Sequence, residues 1–146
     1  MPDYTGPLPL PTPESRPFWD AARRHVLELP RCRSCGQYHY YPRATCPHCL
    51  SADLEWRGVS GRGRLHTFTI VHRGSKGFPI PTPYVMAVVE LDEGPRMMTN
   101  LVGLPADPAQ IRIGMPVEVT FEDRAPEVSL PQFRPRRTAS EAGTRP

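Results

Sequence analysis

RCRSCGQYHYYPRATCPHCL, residues 31–50, carries four cysteines as two Cys-x2-Cys pairs set ten residues apart: Cys32, Cys35, Cys46 and Cys49. They are the only cysteines in a chain of 146 residues. Two residues between cysteines let both thiolates reach one ion from a single tight turn. Gly36 behind the first pair supplies the permissive backbone such a turn needs, and Pro47 stiffens the second. Four thiolates complete a tetrahedral shell around Zn2+ and leave no position for water or substrate, so the spacing predicts one structural zinc ion in a zinc ribbon. A redox pair would instead need an exposed Cys-x2-Cys at a helix start, whereas the neighbours here read as turn and strand. Iron held by four thiolates is the remaining chemical alternative. A segment of about twenty residues cannot bury enough apolar surface to fold unaided, so the metal supplies its folding free energy.

Outward from the cysteines the pattern divides. Residues 1–11 are proline-rich and extended. Thr12 or Ser15 can cap a helix, with Pro13 or Pro17 in its first turn. Phe18, Trp19, Ala22, Val26 and Leu29 then fall on one helical face, and Pro30 ends the helix. Phe18 and Trp19 have two readings: packing on their own domain, or docking on a partner. Beyond the ribbon, β-branched and aromatic residues predict strands over 63–72, 83–91 and 96–103, the last two joined as a hairpin by the turn DEGP at 92–95. Asp107 caps a helical turn that opens on Pro108, residues 117–123 alternate inward and outward, and residues 128–133 add a fifth strand. The fold class is therefore mainly β: an N-terminal helix, a rubredoxin-like ribbon and a five-stranded OB-fold barrel. The expected organisation is arm and helix over 1–29, zinc ribbon over 30–57, OB-fold over 58–133 and a disordered tail over 134–146.

Composition agrees with short elements. Twenty prolines and eleven glycines leave little room for long helices. The net charge of +3 is mild, and the eighteen basic residues are all arginine except Lys76, scattered apart from RPRR at 134–137. No leader pattern or membrane-spanning run is visible, which points to a cytoplasmic protein whose thiols stay reduced.

Other reactive residue types carry little signal. His66 and His72 share a strand with Phe68 and Ile70, and alternation accounts for them. Asp92 and Glu93 suit a turn better than acid–base chemistry. SGRGR at 60–64 lacks the helix start that would complete an anion site and reads as a linker. His39 and His48 are expected as exposed loop residues, while Arg31, Arg33 and Arg43 are placed to offset the charge of a four-thiolate site. No catalytic residue is assigned. A ribbon joined to an OB-fold also suits nucleic acid, for which Arg73 and Lys76 beside Phe68 and Phe78 are the candidate contacts.

FWDAARRHVL, RCRSCG, YPRATCPHC, EWRGVSGRGRLHTFTIVHRG, PYVMAVVELDEGPRMMTNLVG and IRIGMPVEVTFED together resemble the zinc-ribbon/OB-fold acyl-CoA-associated family, domain of unknown function 35, over residues 17–123. The resemblance implies an accessory subunit that binds and stabilises a thiolase-like acyl-CoA enzyme in a hetero-oligomer. An aldolase of steroid side-chain degradation is the foremost case, with a share in shaping the acyl-CoA entrance. Only Cys32, Cys35, Cys46 and Cys49 transfer from the family pattern, as zinc ligands. A nucleic-acid-binding ribbon/OB protein is the second reading, and a free-standing acyl-CoA carrier or thioesterase the third.

Overall fold

The computed structural model describes residues 6–137. One helix precedes seven strands: α1 (Arg16–Arg23), β1 (Glu28–Cys32), β2 (Leu54–Gly58), β3 (Arg62–Val71), β4 (Tyr84–Leu91), β5 (Arg96–Leu101), β6 (Pro116–Ala125) and β7 (Val128–Pro135). A 3-10 turn at Pro108–Gln110 opens on Pro108, and Asp107 accepts a 2.9 Å hydrogen bond from the Ala109 amide, the predicted cap. No helix among the described residues is long and apolar enough to cross a membrane.

Helix α1 stops at Arg23 rather than reaching Leu29. His25 takes a left-handed conformation (φ 60°), and the Val26 amide bonds back to Ala21 O and the His25 amide to Ala22 O. That is a Schellman cap with histidine where glycine is usual. The imidazole is held in place: it stacks flat on Phe121 at 5.2 Å, and its Nε2 lies 2.8 Å from Asp123 Oδ1. Ser129 also donates its hydroxyl to Asp123, and the His25 and Ser129 bonds hold that carboxyl below its ordinary range. Leu29 lies in β1 instead, which pairs antiparallel with β2 from Glu28↔Gly58 to Cys32↔Leu54. Val26, expected on the helix face, is 40% exposed.

The five remaining strands close into a barrel in the order β3-β4-β5-β7-β6. This is the predicted OB arrangement, with β5 and β7 meeting in parallel at Leu101↔Phe133. Closure falls on the first third of β3, where Arg62↔Glu118, Gly63↔Val117 and Arg64↔Pro116 pair. A Cβ at position 63 would lie 2.3 Å from Glu90 O, so only glycine lets β3 and β4 cross this closely. After a bulge between Leu65 and Thr67, β3 runs on to Val71 paired with β4 alone. His66 sits in that bulge, outside the strand alternation expected of it, and His72 lies beyond the strand's end; both are exposed. Asp92 and Glu93 form the hairpin turn. The Glu93 carboxylate accepts from the Ser60 amide at 2.8 Å, tying the ribbon-to-barrel linker to that turn.

The interior is one continuous cluster. Phe18, Trp19 and Ala22 of α1 join Leu65, Val85, Val89, Met97, Leu101, Val117 and Phe133 of the barrel. Phe18 is 1% and Trp19 9% exposed, so the packing reading holds and the partner-docking reading of these two aromatics is corrected. The ribbon is fastened to the same place. Phe18 packs near Tyr40 and Tyr41 at ring distances of 5.8 and 6.0 Å, and Trp19 Nε1 donates to Tyr41 Oη at 2.9 Å. Arg134 and Pro135, expected in the tail, complete β7 through Glu118↔Arg134 and Val117↔Pro135; residues 138–146 lie outside the described residues.

Candidate metal centre

The two cysteine pairs are built as matching turns. The Gly36 amide bonds to Cys32 O and the Leu50 amide to Cys46 O, each at 2.8 Å. Gly36 (φ 80°) and Leu50 (φ 67°) occupy equivalent left-handed positions behind the second cysteine of each pair. The first turn is framed further by Cys32 N bonding to Gln37 O, and the second by Cys46 N bonding to Ser51 O. Amides then point at sulfur: Cys35 N lies 3.4 Å from Cys32 Sγ, and His48 N lies 3.3 Å from Cys46 Sγ.

These turns face each other. All four Sγ atoms lie within 4.8 Å of one another, with Cys32–Cys49 at 3.5 Å and Cys35–Cys46 at 3.7 Å. A tetrahedron with zinc–sulfur bonds of about 2.3 Å has sulfur–sulfur edges of about 3.8 Å. The arrangement can therefore hold one zinc ion with little movement. Cys32 and Cys46 are buried, while Cys35 and Cys49 are exposed. The Cys35 amide lowers the Cys32 thiol to about 6, outweighing burial. Cys49 moves the other way, to about 12: the Ser51 amide lowers it, but the neighbouring thiols and burial raise it more. One thiolate thus forms readily, while packing four together is opposed without a cation to share.

The surroundings differ from expectation at three residues. Arg31 and Arg33 bond across the ribbon to carboxylates, Arg31 to Glu55 at 3.2 Å and Arg33 to Asp53 at 2.9 Å and Glu55 at 3.3 Å. They therefore staple the β1 arm of the ribbon to the β2 arm, with their charge met by carboxylates. His39, expected in an exposed loop, is 3% exposed, and burial first of all pushes its imidazole below the ordinary value. His48 is exposed, and neither histidine joins the sulfur cluster. Sequence reasoning gave no role to Tyr40 and Tyr41, whose adjacency to the cysteines was the available sign that this loop packs inward.

Leu50 offers a test of the paired turns. It is 78% exposed, so its side chain contributes little burial, yet it bears the left-handed backbone that Gly36 accommodates at no cost. Leu50→Gly relieves about 1–2 kcal/mol of steric cost and adds about 0.5–1 kcal/mol of chain entropy. The expected outcome is a small gain, about 0.5 kcal/mol, in urea denaturation of the zinc-loaded protein. Gly36→Ala should lose about 1 kcal/mol in the same assay.

Comparison with known proteins places these parts in a shared frame. Residues 19–55 match the ChsH2 rubredoxin-like zinc ribbon domain, and residues 56–122 the ChsH2 C-terminal OB-fold domain. The chain is 40% identical over 122 residues to a probable enoyl-CoA hydratase alpha subunit of Thermomonospora curvata, covering 81% of this chain but only 36% of that protein. It is 36% identical over 99 residues to a DUF35 domain-containing scaffold protein of Methanocaldococcus jannaschii, covering 67% of this chain and 69% of that one. A solved chain of the Ltp2-ChsH2(DUF35) aldolase superposes with a TM-score of 0.77 at 37% identity, covering 87% of this chain and 98% of that chain. The present chain thus spans about a third of the hydratase subunit and nearly all of the ChsH2-type chain.

Proposed function

The chain belongs to the DUF35 family, in its ChsH2 form of a rubredoxin-like zinc ribbon joined to an OB-fold, and from that premise we propose that it is a non-catalytic subunit of a thiolase-like acyl-CoA enzyme. The supporting observation is that the ribbon–barrel unit matches, almost end to end, a chain of an aldolase assembly. A second support is chemical: the one cluster of potential metal ligands among the described residues is a set of four sulfurs, and such a set has no open position for substrate. Cys32, Cys35, Cys46 and Cys49 hold a structural zinc ion on this reading. Helix α1 serves as the clamp, residues 28–58 as the metal-held ribbon and 62–135 as the barrel. The setting is a reducing cytoplasm. The partner's reaction is retro-aldol cleavage of a steroid-type or related acyl-CoA side chain, with this chain bordering the acyl-CoA entrance.

Co-expression with a thiolase-fold protein of the same genome tests the proposal. A stoichiometric complex is expected by size exclusion with light scattering, with acyl-CoA turnover present in the complex and absent from the lone chain. Turnover of acyl-CoA by the lone chain would overturn it. So would retention of the chain on nucleic acid with a steep salt dependence and no protein complex.

A further inference from the structure

Strand β3 is ten residues long, yet β6 pairs only with its first three. The closing contacts end where the Leu65 amide bonds to Met115 O at 2.9 Å and the Gly114 amide to Leu65 O at 2.7 Å. Among the described residues, no strand pairs with residues 66–71 on the side away from β4. Six residues of backbone therefore present an unpaired edge at the loop end of a long hairpin, a feature proteins usually cover.

Two features beside this edge say what covers it. Part of the outward face of the hairpin and its neighbour β5 is apolar where solvent-facing strands are usually polar. Met86, Val88 and Met98 form, with Thr67 and Thr69, a shallow depression of about 190 Å3, and Met98 is 64% exposed. The charge is also one-sided. From Arg62 to Leu91 the sequence has Arg62, Arg64, Arg73 and Lys76 and one carboxylate, Glu90, which lies opposite Arg64 at the end of the hairpin away from the loop, and β5 has none. Arg73 and Lys76 sit exposed on the β3–β4 loop, and no ion pair among the described residues involves them. A second copy of the chain is disfavoured as the occupant, because antiparallel pairing of two such edges would run each cationic loop toward the other copy's Arg64, cation against cation.

We propose that the β3 edge at residues 66–71, with the methionine-lined depression beside it, receives an extended acidic segment of the catalytic partner, which pairs as an added strand. The added strand would place alternate side chains against Thr67 and Thr69, the β3 rim of the depression, and its carboxylates toward Arg73 and Lys76. This rests on the proposed role as a subunit and names the surface through which that role is exercised.

Hydrogen exchange on the complex with the thiolase-fold partner tests it. Among amides 66–71, those that point away from β4 should exchange freely in the lone chain and slow by about tenfold or more in the complex, with those of β1 and β2 little changed. The double variant Arg73→Glu, Lys76→Glu, confined to exposed loop residues, should weaken the partner's binding by about tenfold and flatten its salt dependence. A complex that forms while the outward amides of 66–71 stay unprotected overturns this inference and leaves the subunit role standing; failure to form any complex overturns both. Protection that grows with the chain's own concentration, or that appears with an oligothymidylate in place of the partner, gives the edge to a second copy or to nucleic acid and likewise overturns it.

Discussion

Replacing Cys46 with serine, or stripping the metal with a strong chelator at pH 7, is expected to unfold the ribbon and loosen α1 from the barrel. Structural zinc sites of this kind contribute about 10–16 kcal/mol of apparent binding free energy to folding, as much as the whole stability of an ordinary domain, about 5–15 kcal/mol. Cys46 is fully buried, and its sulfur lies 3.7 Å from that of Cys35, so a serine oxygen there breaks the sulfur shell where solvent cannot substitute. The loss should spread. The loop between the cysteine pairs carries Tyr40 and Tyr41, which pack on Phe18 and Trp19. Atomic emission should find one zinc per chain in the native protein and much less in Cys46→Ser, together with lost near-ultraviolet dichroism. Intense visible absorption in the native protein would assign the site to iron. A variant that keeps its fold and its partner while the complex loses activity would show that the sulfurs are not a structural site. Acid acts in the same direction. Cys35 and Cys49 are raised above the ordinary thiol value, so metal entry expels their protons, and zinc affinity should fall as the pH is lowered.

The parts of this fold that rest on local spacing are legible in the sequence, and the parts that rest on distant partners are not. Two Cys-x2-Cys pairs bring four sulfurs together because each turn is closed within five residues, and the DEGP turn fixes its hairpin just as locally. The end of α1 is a different case. Val26 and Leu29 satisfy a helical period, but Leu27 and Leu29 satisfy a strand period equally well. The decision is made by β2, whose Leu54–Gly58 backbone lies more than twenty residues away. His39 reads as a loop polar residue until the ribbon folds over it. Arg31 and Arg33 read as counter-charges for sulfur until β2 presents Glu55 between them. The unpaired stretch of β3 is likewise invisible in a strand pattern, because length shows how far a strand runs but not how far its neighbour follows.

Phe18→Ala separates the two meanings its ring had in the sequence. The side chain is 1% exposed, meets Trp19 edge-on at 4.9 Å, and lies in the cluster shared by the helix and the barrel. Deleting a fully buried phenylalanine ring costs about 3–5 kcal/mol, because the lost transfer free energy adds to that of the cavity left behind. For a chain of this size that corresponds to a fall in Tm of about 10 °C. Phe18→Leu, which keeps most of the volume, should cost far less. The measurement is made on the lone zinc-loaded chain, where a ring that served only to meet a partner would leave urea and thermal midpoints unchanged. The damage should also be uneven. Helix α1 is the piece that touches β7 on one side and the Tyr40–Tyr41 loop on the other. Its release should therefore raise amide exchange in the ribbon more than in β3 and β4, whose ladder does not depend on the helix. Equal loosening of ribbon and barrel would mean that α1 is a passenger on the barrel rather than the clamp between the two modules.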